Sequence, residues 1–153
     1  MMTLWEEIRE EFPILRELTY INTASIGLIP KTSIKRAYEW FKERELGNIH
    51  WLDWYERVQE SKDLFAKLIN ATREEIAAIT NTSEGLNFIA NSIKWKTGEN
   101  IIINDLEFPT NVFIWQRIAK LHNLEIRVAK NEKGVIPIES YEKLIDDNTR
   151  IIA

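Results

Sequence analysis

The residues of this chain best suited to chemistry are Thr80-Asn81-Thr82-Ser83-Glu84-Gly85-Leu86-Asn87. They lie between a short apolar run, 76–80, that reads as a buried strand, and a segment in which Leu86, Ile89, Ala90 and Ile93 recur at helical spacing. A strand-to-helix turn at this point exposes the unpaired N–H groups of the first helical turn, and the helix dipole favours negative charge beside them. Thr82 and Ser83 add hydroxyl donors and Gly85 keeps bulk away, so the turn is expected to cradle an anion, a phosphate group in particular. The competing local reading is plain N-capping, which Ser and Thr also perform. A second polar turn, Glu107-Phe108-Pro109-Thr110-Asn111, follows the apolar run 101–104, again where a strand hands over to a helix. Ligands of open α/β sheets bind at the carboxyl ends of neighbouring parallel strands. Phe108 would there offer a ring face to a flat ligand, and Asn111 a hydrogen bond beside it.

The elements that must hold these turns follow from the hydrophobic period. Residues 3–11 read as a short helix ended by Pro13, and Ile34, Ala37, Tyr38 and Phe41 mark a second. Trp51, Tyr55, Val58, Phe65, Leu68 and Ile69 mark a third, after which Thr72 with Glu75 forms a capping-box pattern. From Ile76 the pattern alternates, with strands expected near 76–80, 101–104, 124–129 and 149–153 and helices between them. The expected fold class is therefore α/β, a helical N-terminal third followed by alternating strands and helices on a mostly parallel sheet. Strands of such a sheet are covered on both faces, which accounts for the uninterrupted Ile101-Ile102-Ile103.

Three segments in order resemble the fold type I pyridoxal-phosphate enzymes, in the class V aminotransferase, cysteine desulfurase and kynureninase branch. Tyr20-Ile21-Asn22-Thr23-Ala24-Ser25-Ile26-Gly27-Leu28-Ile29-Pro30 is similar to that family's N-terminal substrate-side segment, Tyr-Leu-Asp/Asn-x-Ala-x-x-Gly-x-x-Pro. Thr82-Ser83-Glu84-Gly85-Leu86-Asn87 resembles its Thr-Thr-Glu-Gly-Ile-Asn phosphate loop. The run from Glu107 to Asn111 matches the place of the residue that stacks on the pyridine ring, His in the desulfurases and Phe in the kynureninase-like members. The resemblance implies pyridoxal phosphate as cofactor, with Thr82 and Ser83 on the phosphate, Phe108 on the ring and Asn111 near the ring oxygen or imine. It implies Asn22, Ala24 and Ser25 on the side of an amino-acid substrate, and a transferase-type homodimer with its active site at the subunit interface. Residues 1–30 would be the substrate-side segment and 31–153 an incomplete large domain.

The same resemblance implies what these residues lack. A catalytic lysine for the Schiff base and an acid for the pyridine nitrogen lie further along in the family, and Lys94, Lys96, Lys120 and Lys130 do not occupy the lysine's place. The apolar end, Arg150-Ile151-Ile152-Ala153, reads as the start of a buried strand, so the chain is expected to be the first part of a longer enzyme and to lack turnover by itself. The alternatives are one half of a split enzyme, and a non-catalytic phosphate-binding or assembly module that associates through an unfinished sheet. Phe108 and Pro109 in place of the desulfurase histidine segment tilt the expectation away from desulfuration.

Composition narrows the field. A 44% hydrophobic content with six Trp opposes disorder, and a net charge of -4 gives no reason to expect nucleic acid. There is no cysteine, hence no disulfide framework or thiol nucleophile in these residues, which fits a cytoplasmic setting. No apolar run approaches the ~20 residues of a membrane span. His50 and His122 belong to no metal-binding spacing; a structural role is expected for the first and a place at a helix C-terminus for the second. Asp105 follows a strand as a ribose-binding acid would, but no Gly-x-Gly-x-x-Gly precedes it, and the long helical N-terminal third opposes a flavodoxin-like domain. Trp51, Trp54 and Tyr55 sit at helical spacing as a core cluster would, part of it available to a partner subunit. Abundant Ile, Glu and Lys without Cys would suit a heat-tolerant organism.

Overall fold

The computed structural model describes residues 3–48 and 50–153, and the chain divides into two compact units, one running to Phe65 and the other spanning Ala66–Ala153. In the first unit, helix α1 (Leu4–Glu10) starts at a capping box in which the Thr3 hydroxyl accepts from the Glu6 N–H and the Glu6 carboxylate accepts from the Thr3 N–H. A 3-10 turn at Pro13–Arg16 follows, then an irregular stretch, then α2 (Lys31–Glu45) and α3 (Trp51–Leu68), whose last residues enter the second unit. The Glu11 carboxylate accepts from the backbone N–H and hydroxyl of Thr32 at 3.0 and 2.7 Å, tying the first turn of α2 to the end of α1. The Arg44 guanidinium lies over the rings of Trp40 and Trp54, 4.8 and 5.8 Å from their centroids. Of the aromatic cluster expected as core, Trp54 packs in this way, whereas Trp51 and Tyr55 are exposed.

The second unit carries the alternating pattern: a 3-10 turn (Arg73–Glu75), α4 (Thr82–Ser92), β1 (Asn100–Asn104), α5 (Pro109–His122), β2 (Glu125–Ala129), α6 (Ile138–Glu142) and β3 (Thr149–Ile152). The Thr72–Glu75 capping box forms as its spacing predicts. The three strands make a parallel sheet in the order β2-β1-β3, with Ile101 opposite Ile126 and Ile103 opposite Val128. Central β1 is buried from Asn100 through Ile103, the position its continuous apolar run requires. Ala90 of α4 and Ile114, Trp115 and Ile118 of α5 pack with Ile101 and Ile103 to form the core, and Leu86, Val112, Ile126 and Ile151 close around it. Helix α5 ends on Asn123, left-handed at φ 55°, whose N–H bonds the Ala119 carbonyl; His122 is the last helical residue rather than the cap.

One expected strand does not form. Residues 76–80 carry no strand assignment and are half-buried to exposed, although Ile76 has extended backbone at φ -107°, ψ 122°. A strand needs a ladder partner, and none of the three strands pairs with this segment. It leads instead, without a ladder, through a bend at Thr80 into α4.

At the amino end of the sheet, Asn100 is fully buried, and its amide donates to Asp146 Oδ1 at 2.9 Å. Arg127 joins the same carboxylate at 2.7 Å and also pairs with Glu125 at 2.8 Å. The Arg127 and Asn100 donors pull the Asp146 carboxyl down to about 2. Among the described residues no helix is long and apolar enough to cross a membrane.

Candidate functional site

Asn81 is the N-cap of α4, and its Oδ1 accepts from the Glu84 N–H at 2.9 Å. Thr82 and Ser83 are therefore the first two helical residues, whose N–H groups have no intrahelical acceptor, and their side chains are relieved of capping. The local alternative, in which Ser or Thr only caps the helix, is thus answered by Asn81. Glu84 turns back from the same turn, its carboxylate accepting from the N–H and hydroxyl of Thr80, each at 2.8 Å. Those two donors hold its carboxyl below the ordinary value. Gly85 does not face the open donors. A Cβ placed there would come within 2.5 Å of Ile79 Cδ1, so the glycine allows α4 to lie close against the extended stretch before it.

The second turn converges on the first. Helix α5 begins at Pro109, which has no N–H, and the Asn111 N–H bonds the Phe108 carbonyl at 2.9 Å, so Thr110 supplies the open amide of that turn. The Thr110 hydroxyl lies 3.4 Å from the Ser83 hydroxyl, across the two helix starts. The Ser83 and Thr110 hydroxyls, the open amides of the two helix starts and the positive ends of two helix dipoles thus come together at the carboxyl side of β1. Thr110 was not singled out by sequence. Its signal was available in the Pro-Thr pair opening an expected helix, but nothing local indicated that the two turns would touch.

Phe108 stands next to this cluster with its side chain 71% exposed, free to present a ring face. Its backbone N–H donates to Glu107 Oε1 at 2.9 Å, and Asn104, the last residue of β1, donates its amide to Glu107 Oε2 at 3.2 Å. The Phe108 N–H foremost, with the side chains of Asn111 and Asn104, keeps the Glu107 carboxyl below the ordinary value. Asn111 is engaged by the core: its Oδ1 accepts from the indole Nε1 of buried Trp115 at 2.8 Å. Asp105 bonds the backbone and side-chain nitrogens of Asn131 at 2.9 and 3.1 Å, with Lys130 3.6 Å away, and so links the loops after β1 and β2.

Asn22, Ala24 and Ser25 lie in the first unit on an exposed turn in which the Ser25 and Ile26 N–H groups bond the Asn22 carbonyl at 3.1 and 3.2 Å. The Tyr20 hydroxyl closes that turn by donating to the Ile26 carbonyl at 2.5 Å. His50, beside the start of α3, lines a small polar cavity with Glu43, Asp53 and Arg57.

The family model for aminotransferase class-V matches residues 29–153, most of the chain and all of the second unit. The chain belongs to the aminotransferase class-V family. Among curated class-V relatives, a probable cysteine desulfurase of Methanothermobacter thermautotrophicus is 28% identical over 96% of the chain and 38% of its own length. One of Borreliella burgdorferi is 30% identical over 95% of the chain and 39% of its own length. The chain therefore spans about two-fifths of the length of the relatives it matches. Among solved structures, the apo cysteine desulfurase of Thermococcus onnurineus superposes with a TM-score of 0.77 at 25% identity, over 99% of the chain and 40% of its own. A C-DES mutant with glycine covalently linked to its PLP cofactor gives a TM-score of 0.82 over 94% of the chain and 39% of its own, and at 19% identity speaks for the fold.

Proposed function

We propose that this chain forms the N-terminal portion of a class-V pyridoxal-phosphate enzyme acting on an amino acid, and that the second unit holds the cofactor's phosphate and one face of its ring. The observation that carries this reading is the meeting of two helix starts at Ser83 and Thr110, beside an exposed Phe108. The donor set fits the group: open amides, hydroxyls and helix dipoles suit a phosphate, and the nearby carboxylates of Glu84 and Glu107 are turned to other donors. When bound, pyridoxal phosphate supplies an electron-accepting ring.

In this reading Thr82, Ser83 and Thr110 grip the phosphate, and Phe108 stacks on the ring and shields that face from water. Asn111 orients the turn that bears Phe108, since its Oδ1 already serves Trp115. Asn22, Ala24 and Ser25 belong to the substrate side, on the segment 1–30, with 31–153 as part of the large domain. The lysine and the acid that the chemistry requires have no counterpart among these residues, so residues 1–153 alone bind without turning over. The full enzyme is a cytoplasmic homodimer.

A second reading, an assembly module completed by another polypeptide, is favoured by one feature: no strand among the described residues pairs with the outer edge of β3, where Ile152 is half exposed. Titration of the chain with pyridoxal phosphate, followed by borohydride reduction and intact mass, tests the first reading. A saturable absorbance shift without stoichiometric covalent capture is expected; the absence of saturable binding would leave the assembly reading.

A further inference from the structure

We infer that Glu107 is a positioning residue for the ring face: its carboxylate clamps the turn from β1 to α5 so that Phe108 is held against a bound ring. The inference rests on the cofactor reading above and goes beyond it in assigning a residue that touches neither phosphate nor ring. Phe108 is the N-cap of α5 but has no side chain able to cap, and Pro109 after it has no N–H to fasten the turn. Glu107 fastens the turn from outside the helix, on the N–H of the N-cap residue itself. Oε1 accepts from the Phe108 N–H at 2.9 Å and Oε2 accepts from the Asn104 amide at 3.2 Å, so one carboxylate bridges the end of the central strand and the backbone of the ring-bearing residue. Asn111, in the first turn of α5, is fixed by buried Trp115, and its side chain helps to hold the same carboxyl below its ordinary value. The chain of bonds runs from the end of the central strand through the Asn104 amide to Glu107, and ends on the Phe108 N–H. A ring that is 71% exposed has little packing of its own to fix it, so its backbone anchor sets where it stands.

A charged acceptor is required for the bridge. Glutamine at this position keeps one carbonyl acceptor but turns the other end into a donor, which would face either the Phe108 N–H or the Asn104 amide. The test compares Glu107→Gln with the parent chain using two probes. Pyridoxine phosphate carries ring and phosphate but no aldehyde, and so forms no imine with surface lysines; inorganic phosphate carries no ring. The parent should bind both. E107Q should bind pyridoxine phosphate about 10-fold more weakly, the loss of a charge-assisted hydrogen bond, with inorganic phosphate affinity unchanged. In a Phe108→Ala background the same substitution should then cost nothing further. Should E107Q fold poorly by circular dichroism, Asn104→Ala removes one anchor of the carboxylate and should weaken the ring probe selectively, by a smaller factor. Equal binding of the ring probe by parent and variant overturns the inference and leaves the cofactor reading standing. A parallel loss for both probes also overturns it, since Glu107 would then merely hold the fold. A parent chain that binds neither probe overturns the cofactor reading itself, and this inference with it.

Discussion

Asn111→Ala separates two roles for a residue that sequence alone assigned to the ligand. Its Oδ1 accepts from Trp115 Nε1 at 2.8 Å, and Trp115 is 3% exposed at the heart of the core. Alanine would leave a buried indole N–H without an acceptor, a cost of about 1–3 kcal/mol, larger than the loss of an exposed hydrogen bond. About 2 kcal/mol is the expected total. In urea, with a slope of roughly 2 kcal/mol per molar, the unfolding midpoint should fall by about 1 M. Far-UV circular dichroism is the suitable probe, because indole fluorescence would change with the hydrogen bond itself. The decisive form is a double-mutant cycle with Trp115→Phe, which removes the donor: Asn111→Ala in that background should cost no more than about 0.5 kcal/mol, leaving a coupling of roughly 1–2 kcal/mol. If Asn111→Ala costs the same in both backgrounds, or nothing in the parent, the brace is refuted and Asn111 is better placed on the ligand.

Three further outcomes follow from the same coordinates. The Asp146 carboxyl is lowered from 3.8 to about 2, first by Arg127 and then by Asn100, so its contribution to stability is present above pH 3.8 and is lost as pH falls through about 2. Acid unfolding of Asp146→Asn should accordingly show a shallower slope between these values, and an unchanged slope would contradict the network. Ile118→Ala, at a fully buried position of α5, should destabilise the second unit by about 2–5 kcal/mol in denaturant unfolding. Gly85→Ala should leave phosphate affinity unchanged, because the added Cβ meets Ile79 rather than the open donors; a selective loss of phosphate binding would show that the glycine faces the ligand.

The helices and the central strand were legible because their signals are local: helical recurrence for α2, α3 and α4, and an unbroken Ile run for β1. The strand expected at 76–80 failed because five mostly apolar or small residues between turn signals specify extended backbone, whereas a strand also needs a neighbour, and pairing is a tertiary fact. At the site, the residue types at the two helix starts pointed to an anion, but which residue caps was decided by the backbone: Asn81 took the cap and left Thr82 and Ser83 open. Thr110 and Glu107 were named in the second turn but given no role, for a related reason. Their importance lies in a 3.4 Å approach between helices and a bridge from strand to turn, neither of which leaves a spacing in the sequence. Gly85 was expected to keep bulk away from the turn, and the neighbour it makes room for is Ile79, because a glycine by itself reports only that something comes close.

Amide proton–nitrogen NMR mapping of pyridoxine phosphate on the 153-residue chain tests most directly whether the two helix starts form a cofactor half-site. The expected result is saturable shifts of the Thr82, Ser83 and Thr110 amides together with Phe108, while the amides around Asp146 at the far end of the sheet stay still. Shifts confined to other residues, or none at concentrations where a phosphate-binding helix pair should fill, would contradict it.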